Sequence, residues 1–162
     1  MTTTLQLSDK TLADIARNVA KYPPEQKQSA VMASLIAAQT EVGWVSPEVI
    51  ATVAQILEMP TIAVEEVATF YNMYNLKPVG KYKLAVCTCI PCALSGGRDA
   101  AAYLAERLGI KLGETTADGR FTLVESECQG ACGDAPVALV NNHSMKSFLT
   151  PDKLDQLLEE LK

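Results

Sequence analysis

The chain has 162 residues, 48% of them hydrophobic and 20% charged, enough for one domain or two small ones. Its mean hydropathy is only +0.09, and charges interrupt every apolar run, which excludes a bilayer-spanning helix and direct membrane insertion. A net charge of -5 and a pI near 4.9 argue against nucleic acid, because a phosphate-binding surface needs a basic stripe to release counterions.

The opening "MTTTLQLSDK" has no basic n-region and no apolar h-region, so no signal peptide is expected and the chain is expected in the cytoplasm. Ser8 or Asp9 can cap a first helix carrying Leu12, Ile15, Ala16 and Val19, which Pro23 stops. Pro24 is expected to open a second helix that presents Val31, Leu35 and Ala38 and ends at Gly43. Ser46 and Pro47 start a third, lined by Val49, Ile50, Val53, Ile56 and Leu57. "EMPT" breaks it, and Thr61 is expected to cap a fourth helix holding Ile62, Val67 and Ala68. The last two helices have the outline of a helix-turn-helix. No Lys or Arg lies between Lys27 and Lys77, so nothing there could neutralise phosphate or read guanine.

Trp44 is expected to anchor this helical unit. Tyr71, Met73 and Tyr74 read equally as interface anchors and as packing between two domains. Turn residues in "NMYNLKPVGKY" place a domain boundary there, giving a helical domain over 1–79 and a second domain over 80–162.

A different periodicity follows. "YKLAVC" alternates as a half-buried strand, and Gly96 and Gly97 lead into a helix faced by Ala101, Leu104 and Leu108 and closed by Gly109. "RFTLVE" and "APVALV" read as further strands, and "NNHSMKSF" as a turn with a short edge strand. A last helix begins at Thr150 and Pro151 and presents Leu154, Leu157, Leu158 and Leu161. The order β-α-β-β-(β)-α is that of an α/β fold with thioredoxin-like order. His143, the one histidine, falls in the turn and reads as a surface residue, since a Rieske-type centre takes two.

Four of the five cysteines fall into two tight pairs, which points away from a disulfide framework and toward metal binding or redox chemistry. "VCTCIPC" can be read in two frames: Cys89 and Cys92 as C-x2-C, or Cys87 and Cys92 as C-x4-C. The first is the spacing of a dithiol redox motif and the second is met in ferredoxin sites. Cys128 and Cys132 form a C-x3-C just after the second strand, so four thiols can converge at one edge of an α/β sheet.

Three chemistries fit these residues. A [2Fe-2S] cluster needs four thiolates, two on each iron, and its negative charge calls for backbone N–H donors of the kind Gly96, Gly97, Gly130 and Gly133 could bring close. A zinc-stabilised structural module is the second, because four cysteines at these spacings also suit tetrahedral Zn2+. A dithiol pair is the third. Against it, "ALSGG" separates "CIPC" from the expected helix N-terminus that would activate a thiol, and Cys128 and Cys132 are left unexplained.

"VCTCIPCALSGG", "ECQGACGDAPV" and "GWVSPEVIATVAQILEMP" followed by "VEEVATFYNMY" closely resemble the family of NADH-quinone oxidoreductase E subunits, over nearly the whole chain. The resemblance implies a thioredoxin-like [2Fe-2S] ferredoxin domain behind an N-terminal four-helix unit. By position, it implies that Cys87, Cys92, Cys128 and Cys132 hold one [2Fe-2S] cluster and that Cys89 falls in a variable slot. No catalytic residue is implied in this chain itself.

The implied role is an electron-transfer subunit of NADH:quinone oxidoreductase, respiratory complex I. It would lie peripherally on the cytoplasmic side of the inner membrane, beside a flavin-bearing NADH-oxidising subunit and a neighbouring iron–sulfur subunit. FMN and NADH are expected on that partner, since "ALSGGRD" lacks the G-x-G-x-x-G spacing of a dinucleotide site. Related subunits serve NAD-reducing hydrogenases and NAD-dependent formate dehydrogenases, and the motifs do not separate these assemblies.

Overall fold

A computed structural model describes residues 5–161. The first four residues of the stretch read as lacking a signal peptide lie outside the described residues. The chain divides into two compact units, Met1–Pro78 and Val79–Lys162.

The first unit is helical. α1 (Asp9–Val19) starts where Ser8 Oγ accepts the Thr11 N–H, and the Ser8 hydroxyl donates to Glu41 at 2.8 Å. Glu41 lies in α2 (Val31–Val42), so one cap also ties two helices together, and hydrogen bonds from Thr11 and Ser8 hold its carboxyl below the usual range. Ile15 is buried and Val19 packs against the core as their spacing predicts, whereas Leu12 is 40% exposed, Ala16 faces outward and Thr11 is buried instead. Pro24 opens a 3-10 segment (Pro24–Ala30) rather than the second α-helix. Gln26 has non-helical φ/ψ inside it, and α2 begins only at Val31. Val31, Leu35 and Ala38 are buried as their spacing predicts, and Gly43 closes the helix at φ 91°.

α3 (Pro47–Leu57) is capped by Ser46, buries Val49, Ile50, Val53 and Leu57, and ends at Glu58 in the left-handed region. α4 (Thr61–Phe70) follows Pro60 without a side-chain cap, so Thr61 does not play its expected part. Its core residues are Val64 and Ala68, while Ile62 faces outward. After α4 the chain returns to α2. Gln39 donates to the Met73 carbonyl and accepts from the Asn75 N–H, and the Tyr74 hydroxyl donates to the Met32 carbonyl at 3.1 Å. Tyr74 and Met73 therefore belong to this unit's own core. Trp44 is half-buried, and its neighbour Val45 enters the core instead.

The second unit is a mixed α/β layer. Its strands, β1 (Tyr82–Cys87), β2 (Phe121–Ser126), β3 (Ala138–Val140) and β4 (Ser144–Lys146), lie in the order β2-β1-β3-β4. β1 runs parallel to β2, with Tyr82 opposite Phe121 and Cys87 opposite Ser126, and antiparallel to β3. β4 returns on β3 through a turn in which Asn141 and Asn142 take positive φ. Between β1 and β2 come α5 (Ile90–Leu94) and α6 (Gly97–Leu108), and α7 (Pro151–Glu160), capped by Thr150, ends the unit.

Leu84, Val86, Phe121 and Leu123 pack with Leu104 of α6 and with Leu154 and Leu157 of α7. β1 is buried from Lys83 to Cys87, on both faces, rather than half-buried as its alternation suggests. It is the strand between β2 and β3, with Leu84 and Val86 in the helix-packed core, while Lys83, Ala85 and Cys87, which alternate with them, are buried as well.

Candidate metal centre

Both cysteine loops leave the same end of two neighbouring parallel strands. Cys87 is the last residue of β1 and stands opposite Ser126, the last of β2; Thr88 N–H extends the pairing by one bond to the Ser126 carbonyl at 3.2 Å. In open α/β sheets such strand ends are where loops gather to form sites.

The first pair is set in regular structure. Cys89 is the N-cap of α5, Pro91 fits its first turn, and the Ala93 N–H bonds back to the Cys89 carbonyl at 2.8 Å. This short turn brings Cys92 into the same packed cluster as Cys87. Both are 1% exposed and pack against Val137. Gly96 takes φ 93°, and a Cβ on Gly97 would lie 2.6 Å from the Cys87 carbonyl oxygen and 2.9 Å from that of Cys92. Position 97 is glycine because the start of α6 rests directly on the backbone of both cysteines.

The second pair is set in a loop. Cys128 and Cys132 are exposed, with their sulfurs 3.7 Å apart. Gly130 turns the chain at φ 76°, and its N–H points at the Cys128 sulfur at 3.4 Å. Cys132 opens a one-turn 3-10 segment, Cys132–Asp134. Of the expected glycines, Gly133 has no positive φ and nothing near its would-be Cβ.

Side chains link the two loops. Thr88 Oγ1 donates to Glu125, and Cys89 Sγ donates to Glu127 Oε2 at 3.1 Å. Gln129, inside the C-x3-C, donates through Nε2 to the Ala85 carbonyl at 2.8 Å and to Ser126 Oγ at 2.6 Å. Sequence reasoning missed all three links. They depend on which residues face each other across the β1–β2 pairing, and no local spacing reports that.

Crowding makes the thiols reluctant to ionise together. Burial, followed by the Cys87 thiol, pushes Cys92 up to about 11, and Cys128 raises Cys132. A bound cation reverses this logic, since positive charge favours thiolates that repel one another in its absence. Among the described residues, no group of three or more His, Cys, Asp or Glu could hold a single metal ion. What the fold brings together is two contacting pairs, a donor set that can give two thiolates to each of two metal ions.

Cys89 corrects one step of the sequence argument. It does stand at a helix N-terminus, because α5 was not visible in "CIPCAL". The thiol is nevertheless not activated there, in line with the sequence argument against a dithiol pair: the Glu127 carboxylate that accepts its S–H, helped by burial, pushes it up to about 11. His143 is exposed in the β3–β4 turn.

Residues 15–162 match the thioredoxin-like [2Fe-2S] ferredoxin family. The NADH-quinone oxidoreductase E subunit of Rickettsia felis is 46% identical over 154 residues, 94% of this chain and 92% of that one. Its counterpart in Rickettsia bellii is 45% identical over 156 residues, 95% of this chain and 93% of that one. In fold, the chain resembles part of an NAD+-reducing [NiFe]-hydrogenase, with a TM-score of 0.67 and 22% identity over 78% of this chain and 22% of the other. The fold, the strand-end cysteine pairs and nearly full-length relatives agree: the chain belongs to the thioredoxin-like [2Fe-2S] ferredoxins, in the family of NADH-quinone oxidoreductase E subunits.

Proposed function

We propose that Cys87 and Cys92 hold one iron, and Cys128 and Cys132 the other, of a single [2Fe-2S] cluster, and that the chain is the electron-transfer subunit of an NADH-quinone oxidoreductase. The observation that carries this reading is the pair of contacting thiol pairs at the same ends of two adjacent parallel strands. When bound, such a cluster supplies a one-electron relay. The Gly130 amide, aimed at the Cys128 sulfur, is placed to donate to a thiolate there. No Lys or Arg lies within either ligand loop, so little positive charge would offset an added electron. This favours a low potential, about -400 mV as in plant-type ferredoxins.

NADH releases two electrons as hydride, so a flavin has to stand between it and a one-electron relay. The partner is therefore a flavin-bearing, NADH-oxidising subunit, with a neighbouring iron–sulfur subunit next in line. Ile90 and Leu94 of α5 are 77% and 86% exposed and put apolar side chains on the segment that carries Cys92, and exposed Phe148 is tied by its N–H to the Asp134 carbonyl, two residues after Cys132. In the helical unit, Ile62 and Phe70 of α4 are exposed within the Lys/Arg-free stretch, which suits a docking role for these helices. Among the described residues no helix is long and apolar enough to cross a membrane. The reading places the chain peripherally, on the cytoplasmic side of the membrane, through its partners.

The test is to purify the chain anaerobically, alone and co-expressed with its flavin subunit. Two irons and two sulfides per chain, with NADH-dependent reduction of an artificial acceptor only in the co-expressed form, are expected. NADH oxidation by the isolated chain, or a midpoint potential above zero, would refute it. A chain truncated before Lys77 should bind the flavin subunit less well; undiminished binding removes the helices from the interface.

A further inference from the structure

Within the C-x3-C loop, Gln129 makes the one side-chain hydrogen bond found from residues 128–132 to another strand among the described residues. Its Nε2 reaches the carbonyl of Ala85, two residues before Cys87 on β1, and also Ser126 Oγ at the end of β2. Between Cys128 and Cys132 the other bonds are between the loop's own residues, Gly130 N–H to Cys128 sulfur and Cys128 sulfur to that of Cys132, and the ties on either side come from Cys89 to Glu127 and from the Phe148 N–H to the Asp134 carbonyl. The buried pair needs no such tie, because strand pairing, α5 and the close contact at Gly97 already place it. The amide can sit only one way round, since the Ala85 carbonyl can only accept and only the amide nitrogen donates. In that orientation Gln129 Oε1 is buried without a hydrogen-bond partner among the described residues.

We infer that Gln129 is a positioning residue that fixes the exposed thiol pair relative to the buried pair by clasping the loop to β1. This rests on the proposed assignment of the four thiols to one cluster. A loop fixed in this way presents Cys128 and Cys132 at one distance from Cys87 and Cys92. A loop without the clasp samples a range of distances, and one hydrogen bond of this kind corresponds to about a tenfold change in an opening equilibrium.

The experiment uses the full chain purified anaerobically, with Gln129→Met, which keeps the length and removes the donor, and Gln129→Glu, which sets an acceptor against the Ala85 carbonyl. Iron and sulfide content, the EPR spectrum of the dithionite-reduced protein, and the rate of bleaching by an iron chelator are compared with wild type. Thermal unfolding of the metal-free proteins is measured alongside.

Both variants should retain two irons per chain, show broadened EPR lines, and bleach about tenfold faster, with Gln129→Glu at least as fast as Gln129→Met. Metal-free melting should change far less than bleaching, which separates positioning from general support of the fold. Wild-type linewidths and bleaching rates in both variants would overturn the inference while leaving the cluster assignment intact. Wild-type protein without a [2Fe-2S] signal would overturn the assignment, and the inference with it.

Discussion

The two cysteine pairs do the same proposed work but are held by different means. Cys87 and Cys92 lie in a strand end and a short helix, 1% exposed, and α6 rests on their carbonyls through Gly97. Cys128 and Cys132 lie in an exposed loop shaped by a left-handed glycine and a few hydrogen bonds. Folding the sheet places the first pair, since β1 cannot be central and buried without bringing Cys87 to its end. The second pair is placed by the loop's turn at Gly130 and by the side-chain ties that Gln129 and Glu127 make to β1 and to the first loop. Changes at the first pair should therefore reach both fold and metal, and changes at the second should reach the metal alone.

The largest effect expected is loss of the cluster on substituting serine at any one of the four cysteines, read as iron falling well below two per chain. The comparison sharpens when the metal-free proteins are unfolded in urea. Cys87→Ser puts a hydroxyl in a buried apolar site and should cost about 1–3 kcal/mol. Cys128→Ser, on an exposed loop, should stay within about 0.5 kcal/mol. Equal destabilisation by the two would break the distinction.

Next in size are the glycines. Gly97→Ala forces a methyl group to 2.6 Å from a carbonyl oxygen and should destabilise the metal-free protein by about 1–3 kcal/mol. At Gly130 nothing lies within 4 Å of a would-be Cβ, so the cost of alanine comes from φ 76° alone, about 1 kcal/mol. Its consequence should appear mainly in the EPR spectrum, because the amide that faces Cys128 moves. A larger fall in melting temperature for Gly130→Ala than for Gly97→Ala would contradict this account.

Smallest is Cys89→Ser. Serine still donates to Glu127, so visible and EPR spectra should match wild type, and stability should change by less than about 0.5 kcal/mol. Iron loss in this variant would place Cys89 among the ligands.

What could be read from the sequence follows the same division. Caps and stops were legible where one residue type decides the backbone, as at Ser8, Ser46, Thr150, Gly43 and Gly109. The cysteine pairs were legible because spacing is itself the signal. Faces were less so: on α1 the stripe that includes Leu12 yields to one that buries Thr11, and on α4 Val64 replaces Ile62, because neighbouring helices decide which side of a short amphipathic segment is covered. α5 is five residues long, too short to show a period, and it escaped notice although it sets the distance between Cys87 and Cys92. Gln129 and Glu127 carry no motif at all; their partners are 44 and 38 residues away in the chain.

The most direct test of the central claim is low-temperature EPR of the dithionite-reduced chain, with iron and sulfide analysis, on wild type, Cys87→Ser, Cys128→Ser and Cys89→Ser side by side. The account predicts one [2Fe-2S] signal per chain in wild type and in Cys89→Ser, and its loss or gross distortion in the other two. Retention of the wild-type signal in Cys87→Ser together with its loss in Cys89→Ser would contradict it.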